Sequence, residues 1–167
     1  QVEGVYDALR HNRKLLISPT ASGKSLMIYS IVRYFVEKGK NTLIVVPTTS
    51  LVEQMYKDFS DYGWDVGSFC HKIYAGKERE TNSQVIITTW QSIYKLPRKY
   101  FERFSVVIGD EAHQFKSKSL VSIMTKLADA KYRYGFTGTL DGTQTHKWVL
   151  EGLFGPSYKI IKTEELM

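Results

Sequence analysis

The segment spanning residues 18–25, Ser-Pro-Thr-Ala-Ser-Gly-Lys-Ser, has the residue types that surround a phosphate group. Gly23 lets the backbone approach closely, Lys24 supplies a cation for the β- and γ-phosphates, and the Ser25 hydroxyl is a ligand for Mg²⁺. The backbone N–H groups of residues 21–25 point inward at the start of a predicted helix and add to the site. The first glycine of the usual phosphate loop is missing, so a polar strand-to-helix turn remains the alternative.

Two adjacent carboxylates, Asp110 and Glu111, follow the apolar run 106–108. Asp110 can hold a metal ion through water, and Glu111 can orient and deprotonate an attacking water. The alternative is a solvated acidic loop before a helix. A nucleotide site is favoured because the phosphate loop follows an equivalent strand of the same predicted sheet.

Hydroxyl, amide and aromatic side chains follow three further apolar runs. Hydroxyls and helix N-termini at strand ends are suited to phosphate contacts with nucleic acid. The Trp90 ring is a candidate for stacking on a base, with a place in the core as the more common alternative. The segment 137–139 offers two hydroxyls to His113 and the carboxylates, unless it is an ordinary glycine turn. The candidate nucleic-acid contacts are Pro47, Thr48, Thr49, Thr89, Trp90 and Gln91.

Short apolar runs alternate with helical stripes along the chain. The strands are predicted at 14–18, 42–46, 85–89, 105–108 and 132–136, with a last short one near 158–161. The helices are predicted near 2–9, 28–36, 51–59, 120–127 and 145–153, with 61–84 as a loop that holds one short strand at 67–69. Ser50 and Glu53 form a predicted capping box for the third helix.

This alternation predicts an α/β fold with a mostly parallel central sheet that is covered on both faces. In such sheets ligands bind at the carboxyl ends of the strands, where the candidate residues lie. The 167 residues suit one domain, and an apolar fraction of 43% with 24% charged residues excludes disordered and fibrous classes.

The net charge and the cysteine count indicate which binding partners and which cellular compartment to expect. A net charge of +6 favours a polyanionic partner. The single cysteine, Cys70, excludes an internal disulfide and predicts a reducing, cytoplasmic location. No apolar run approaches the roughly 20 residues of a membrane span, and no signal peptide is visible, so no membrane partner is expected.

The ordered motifs resemble the first RecA-like domain of the superfamily-2 helicases and translocases. The segment 19–25 resembles motif I, 46–54 motif Ia, 110–113 motif II in its Asp-Glu-Ala-His form, and 137–139 motif III. The Pro-Thr-Thr and Thr-Gly-Thr forms of motifs Ia and III resemble the DNA-directed branch more than the RNA helicases. Within that branch the chain is most similar to phage recombination helicases of the UvsW type.

The resemblance implies one RecA-like P-loop NTPase domain over residues 1–167, a three-layer sandwich that binds ATP, Mg²⁺ and DNA. Gln1 falls where the superfamily carries a glutamine that reads adenine. The other implied ATP contacts are Thr20, Ala21, Ser22, Gly23, Lys24 and Ser25. The implied metal ligands are Ser25 and Asp110, and the implied catalytic residues are Glu111, Lys24 and Asp110. His113, Thr137 and Thr139 would couple hydrolysis to movement on DNA.

No segment resembles motifs IV to VI, which carry the arginine finger in the second RecA-like domain. We therefore expect a fragment or single domain of a longer motor, whose partner is that second domain and which alone hydrolyses little ATP. Three alternatives remain: the motor of a restriction-enzyme translocase subunit, a nucleotide-dependent nucleic-acid-binding module without turnover, and a phosphoryl-transfer kinase.

Overall fold

The computed structural model describes residues 13–17, 21–74, 82–111, 117–127, 130–137 and 157–159. The helices predicted near 2–9 and 145–153 lie outside these residues, and so do Gln1, Thr20, His113 and Thr139.

The described strands form one sheet in which every pair of neighbours runs parallel. In chain order they are β1 (Arg13–Ile17), β2 (Thr42–Val46), β3 (Cys70–Ile73), β4 (Val85–Thr89), β5 (Val106–Gly109), β6 (Tyr132–Thr137) and β7 (Ser157–Lys159). Across the sheet the order is β3-β4-β2-β5-β6-β1-β7. The α/β fold and its parallel sheet, predicted from the alternation of elements, are confirmed.

The described helices are α1 (Ala21–Glu37), α2 (Thr49–Asp61), α3 (Val66–Phe69), α4 (Trp90–Ile93), α5 (Arg98–Phe101) and α6 (Ser117–Lys126). The predicted strand at 67–69 is wrong, because these residues belong to α3 and the strand β3 begins directly after it, at Cys70. A helical turn forms here because the carbonyl of Asp65 accepts from the Ser68 N–H at 3.1 Å and its carboxylate accepts from the Ser68 hydroxyl at 2.6 Å.

Two apolar clusters, one on each face of the sheet, make the three layers. Ile44 and Val46 of β2 pack in the cluster that includes buried residues of α1, α2 and α3. Leu43 and Val45, which alternate with them, pack in the cluster formed with α4, α5 and α6. Because successive side chains of a strand point to opposite faces, a fully apolar strand such as β2 serves both clusters. We call the helices α1 to α3 the first layer and α4 to α6 the second layer.

The start of α2 differs from the predicted capping box. Thr48 has an extended backbone, and its side chain accepts the N–H of Leu51 at 3.2 Å. Thr48 is therefore the N-cap, since a hydroxyl there satisfies an N–H that has no partner inside the helix. Ser50 lies within the first turn, and Glu53 instead accepts from Lys72 at 3.1 Å and from the hydroxyl of Tyr74.

We expect Thr48→Ala to lower the free energy of unfolding by about 1 kcal/mol, because it removes the cap of α2. The control Ser50→Ala, at an exposed position in the first turn of the same helix, should change it by less than about 0.5 kcal/mol. Urea unfolding measures both. Equal losses in the two variants would contradict the assignment of the cap to Thr48.

Candidate nucleotide and nucleic-acid site

Parallel register places the carboxyl ends of the central strands along one edge of the sheet. Gly109 at the end of β5 is in register with Val45 on one side and with Gly135 on the other. Asp110 comes next, and its N–H donates to the carbonyl of Val45 at 2.9 Å, which extends the pairing by one residue. On the far side of β6, β1 ends at Ile17, and α1 begins at Ala21 after a short connection.

Lys24, near the start of α1, reaches the two carboxylates that follow β5. Its Nζ lies 3.2 Å from Oδ1 of Asp110 and donates to Oε1 of Glu111, although Lys24 and Glu111 are 87 positions apart in the sequence. Lys24 is 9% exposed and Asp110 only 3%. The structure thus brings together the cation and the acid pair that the sequence singles out as catalytic candidates.

Burial dominates the electrostatics of the Asp110 carboxyl. It raises the pKa of the Asp110 carboxyl above its usual range, and the opposing effect of the Lys24 cation does not cancel this rise. For Lys24 burial alone lowers the pKa, but the charges and hydrogen bonds of Asp110 and Glu111 raise it above its usual value. The ammonium is therefore firmly charged beside carboxylates that are poorly solvated.

One carboxylate oxygen of Asp110 accepts no hydrogen bond from the residues that the structure describes. Within the described part of the chain its buried Oδ1 has no hydrogen bond of good geometry, although the Lys24 ammonium lies 3.2 Å away. A buried carboxylate oxygen of this kind suits a hard cation such as Mg²⁺, which keeps most of its waters and needs only one or two carboxylates. Among the described residues no three His, Cys, Asp or Glu side chains form a metal cage.

Glu111 adopts a backbone conformation that non-glycine residues rarely use. Its φ of 52° lies in the left-handed region. Residues held in this region are often found at functional sites, where the surrounding structure offsets the strain. Here the turn directs the Glu111 carboxylate back toward the ammonium of Lys24.

Ser25 faces a different neighbour from the one its predicted role requires. Its hydroxyl donates to Oδ2 of Asp58 at 2.9 Å and accepts from the Tyr62 hydroxyl at 3.2 Å, while Gln54 donates to Oδ1 of Asp58 at 2.8 Å. A metal would bind a lone pair of the Ser25 hydroxyl oxygen, so Ser25 could still donate its proton to Asp58. Sequence reasoning missed this link, whose one signal is the spacing of Gln54, Asp58 and Tyr62 along one face of α2.

The candidate nucleic-acid residues lie at the ends of β2 and β4. Gln91 donates its side-chain amide to the carbonyl of Pro47 at 3.2 Å, so the two segments are tied together. Thr48 and Thr49 are exposed at the start of α2. Thr89 is buried and shares a hydroxyl contact of 2.7 Å with Ser92.

Trp90 lies in the core rather than on the surface. It is 9% exposed and packs in the second-layer cluster, with its ring 5.8 Å from that of Tyr94. This position favours the core alternative for Trp90 over stacking on a base.

Three further predicted site residues lie at the ends of secondary-structure elements. Ala21 and Ser22 begin α1, and Thr137 ends β6 in register with Ile17. This register places Thr137 at the same edge of the sheet as Asp110.

No helix in the described ranges is long and apolar enough to cross a membrane.

The parallel sheet, the lysine that follows β1 and the paired carboxylates after β5 define the N-terminal RecA-like domain of the superfamily-2 helicases. A family model described as type III restriction enzyme, res subunit, matches residues 2–142, and the chain belongs to this family.

Two curated relatives match along the chain. The ATP-dependent DNA helicase uvsW of Enterobacteria phage T4 is 34% identical over 173 residues, which cover 100% of this chain and 34% of the relative. The DNA 3'-5' translocase XPB2 of Sulfurisphaera tokodaii is 30% identical over 167 residues, which cover 99% of this chain and 36% of the relative. This chain therefore spans about a third of the length of these two relatives.

A solved structure has the same fold. The crystal structure of the UvsW helicase from bacteriophage T4 superposes with a TM-score of 0.85 at 33% identity, covering 95% of this chain and 58% of that one. The resemblance to superfamily-2 helicases of the UvsW type is confirmed by these matches.

The raised pKa of Asp110 predicts how pH affects stability. Because this carboxyl binds its proton more tightly in the folded state, its ionisation opposes folding at pH values above the ordinary value of 3.8. We expect Asp110→Asn to be at least as stable as the wild type at about pH 8, with an advantage that shrinks as the pH falls through the raised pKa. Urea unfolding between about pH 4 and pH 8 measures this.

The matched control is Asp61→Asn, which removes an exposed carboxylate paired with Lys57 at 2.7 Å and should not gain stability as the pH rises. An Asp110→Asn variant that is less stable than the wild type across the whole range would contradict the prediction.

Proposed function

We propose that this chain is the ATP-binding motor domain of a DNA helicase or translocase, in which ATP hydrolysis drives movement on DNA or its remodelling. The observation that carries the proposal is the convergence of Lys24, Asp110 and Glu111 at one edge of a parallel sheet. The proposal is supported by two relatives of this chain, which are named as an ATP-dependent DNA helicase and a DNA 3'-5' translocase.

ATP binding is the role of the segment from Thr20 to Ser25, with Gln1 reading the adenine. The Lys24 ammonium, which contacts both carboxylates here, would turn to the β- and γ-phosphates. The Lys24 ammonium would then exchange carboxylate partners for phosphate partners, and both kinds of partner are anions. The backbone N–H groups at the start of α1 contribute further donors to the phosphates.

Asp110 and Ser25 are the residues that would hold Mg²⁺. When bound, Mg²⁺ would supply positive charge that stabilises the negative charge developing on the phosphates. Asp110 suits this role because its buried Oδ1 is poorly satisfied by the described residues around it. For Ser25 the role would use a lone pair of the hydroxyl oxygen, whose proton is donated to Asp58 in this structure.

Glu111 is the proposed general base. Its carboxylate accepts from Lys24 in this structure, so a turn of Lys24 toward phosphate would make the Glu111 carboxylate available to orient a water for in-line attack. The left-handed backbone of Glu111 holds the carboxylate on the side of the phosphate loop. One cation thus serves the acid pair before ATP binds and the phosphates afterwards.

The residues proposed to couple ATP hydrolysis to DNA lie along the chain after the strand ends. The state of the γ-phosphate would be transmitted by His113, Thr137 and Thr139. The sugar–phosphate backbone of DNA would be contacted by Pro47, Thr48, Thr49, Thr89 and Gln91. A second RecA-like domain of the same protein would close on this one and supply an arginine to the γ-phosphate. Residues 1–167 form a single RecA-like domain in this proposal.

The motor of a restriction-enzyme translocase is the second candidate. It is favoured by one observation, the description of the matching family model as a type III restriction enzyme subunit. A nuclease domain in the full-length protein would decide for it.

Lys24→Ala should weaken ATP binding by about 10- to 100-fold in the full-length protein, because the variant cannot form the charge-assisted hydrogen bond to phosphate. The control Lys38→Ala removes an exposed lysine of the first layer and should leave the affinity unchanged. Titration with a fluorescent ATP analogue measures both. Equal affinity of Lys24→Ala and the wild type would contradict the phosphate-loop assignment.

Glu111→Gln should keep ATP affinity and lower DNA-stimulated ATP hydrolysis by about 10²- to 10⁴-fold, because the amide cannot accept the proton of the attacking water. Glu102→Gln, which changes an exposed glutamate of the second layer, is the control. Phosphate release measures the rate. If the wild type binds ATP but shows no turnover, the chain is a binding module instead. Undiminished turnover in Glu111→Gln would assign the base to another residue.

A further inference from the structure

The positive charge of this protein is concentrated on one face. The second layer and its connections, residues 90–104 and 117–127, hold six lysines and arginines and one glutamate, a net charge of +5. The first layer and its connections, residues 21–41 and 49–69, hold five basic and five acidic residues, a net charge of zero. The second layer therefore presents a positive potential that the first layer lacks.

A groove in the second layer gathers three of these charges. It has a volume of about 460 Å³ and runs between the residues after α4 and the helix α6. Its described lining contains no carboxylate and consists of Tyr94, Lys95, Lys118, Ser119, Ser122 and Lys126. Lys95 and Lys118 are exposed, so both ammonium groups are accessible to a ligand.

The walls of the groove are held together by hydrogen bonds. The carbonyl of Tyr94 accepts from the Lys126 ammonium at 2.8 Å and from the Ser122 hydroxyl at 3.5 Å. The Lys126 ammonium also lies 6.0 Å from the centre of the Phe101 ring. Lys126 therefore fixes α6 against the end of α4, and the groove exists before any ligand binds.

We propose that this groove binds the sugar–phosphate backbone of a DNA strand through Lys95 and Lys118. Lys118, Ser122 and Lys126 follow one another at four-residue spacing on one face of α6, and the outer two are about 12 Å apart along the helix. Along the duplex axis one strand of B-form DNA carries a phosphate about every 3.4 Å, so a backbone that runs past this face places more than one phosphate within its length.

The position of the groove links it to the DNA path of the proposed function, on which this inference rests. The helix α4 starts directly after Thr89, at the strand ends proposed to contact DNA, and it is only four residues long. Tyr94 and Lys95 follow it at once, so the groove continues this edge onto the side of the second layer. Among its described lining residues Tyr94 is the one aromatic side chain and the others are lysines and serines, which suits a uniform polyanion better than an acidic peptide with side chains to be recognised.

The test compares variants of the full-length protein for DNA affinity at several salt concentrations. Lys95→Ala/Lys118→Ala should weaken binding of duplex DNA roughly tenfold or more at about 0.1 M salt, and it should lower the salt slope by about 0.9 for each phosphate that the variant no longer neutralises. ATP affinity should not change. The charge-preserving variant Lys95→Arg/Lys118→Arg should bind DNA like the wild type.

The control variant Lys38→Ala/Lys40→Ala removes the same charge from the loop after α1, at the opposite edge of the sheet. It should bind DNA nearly as well as the wild type. Equal affinity and salt slope of the wild type and Lys95→Ala/Lys118→Ala would overturn the groove but leave the motor function intact. A wild type that binds ATP but no DNA would overturn both.

An acidic partner gives a distinct result. If polyglutamate binds the wild type but not Lys95→Ala/Lys118→Ala, while duplex DNA binds both equally, the groove takes an acidic protein segment and the DNA proposal is wrong. Since Lys95 and Lys118 are exposed, both variants should fold, and thermal unfolding checks this for each protein.

Discussion

The contact of one buried ammonium with two carboxylates is the constraint on which this structure depends. Asp110 is almost completely buried, and the cost of burying its charge is offset only in part by Lys24. Removing the ammonium would leave two carboxylates close together with little solvent, which is strongly unfavourable. The arrangement suits a site in which phosphate and a divalent cation take over the contacts of lysine and carboxylate.

The hydrogen bond from Ser25 to Asp58 connects the proposed metal ligand to the helix α2. The hydroxyl proposed to bind the metal is held by Asp58, which lies on the helix that Thr48 caps at the proposed DNA edge. Any change of hydrogen-bond partner at Ser25 therefore alters a contact of α2. The same edge carries the contact of Gln91 with the carbonyl of Pro47, so the ends of β2 and β4 are tied together. The proposed metal ligand Ser25 on α1 is therefore linked to α2, whose start carries the proposed DNA contacts Thr48 and Thr49.

The second layer has a different role. Its helices α4 and α5 are too short to be stable alone, and they are held by the apolar cluster beneath them and by the contact of Lys126 with the carbonyl of Tyr94. The second layer and its connections, residues 90–104 and 117–127, carry a net charge of +5. The sheet therefore separates a layer of zero net charge, in which Lys24 of the proposed phosphate loop lies, from a basic layer suited to a polyanion.

The strands β2 and β4, the parallel sheet and the candidate catalytic residues could all be predicted from the amino-acid sequence. The reason is that fully apolar runs and the residue types at positions 24, 110 and 111 are local signals. Other features depend on contacts between residues that are distant in the sequence. The cap at Thr48, the helix α3 at a predicted strand and the bond of Ser25 to Asp58 each depend on which backbone or side-chain groups meet in space. Burial of Trp90 and the charge difference between the layers were likewise settled by packing, since a sequence gives the types of side chains but not the face to which each is turned.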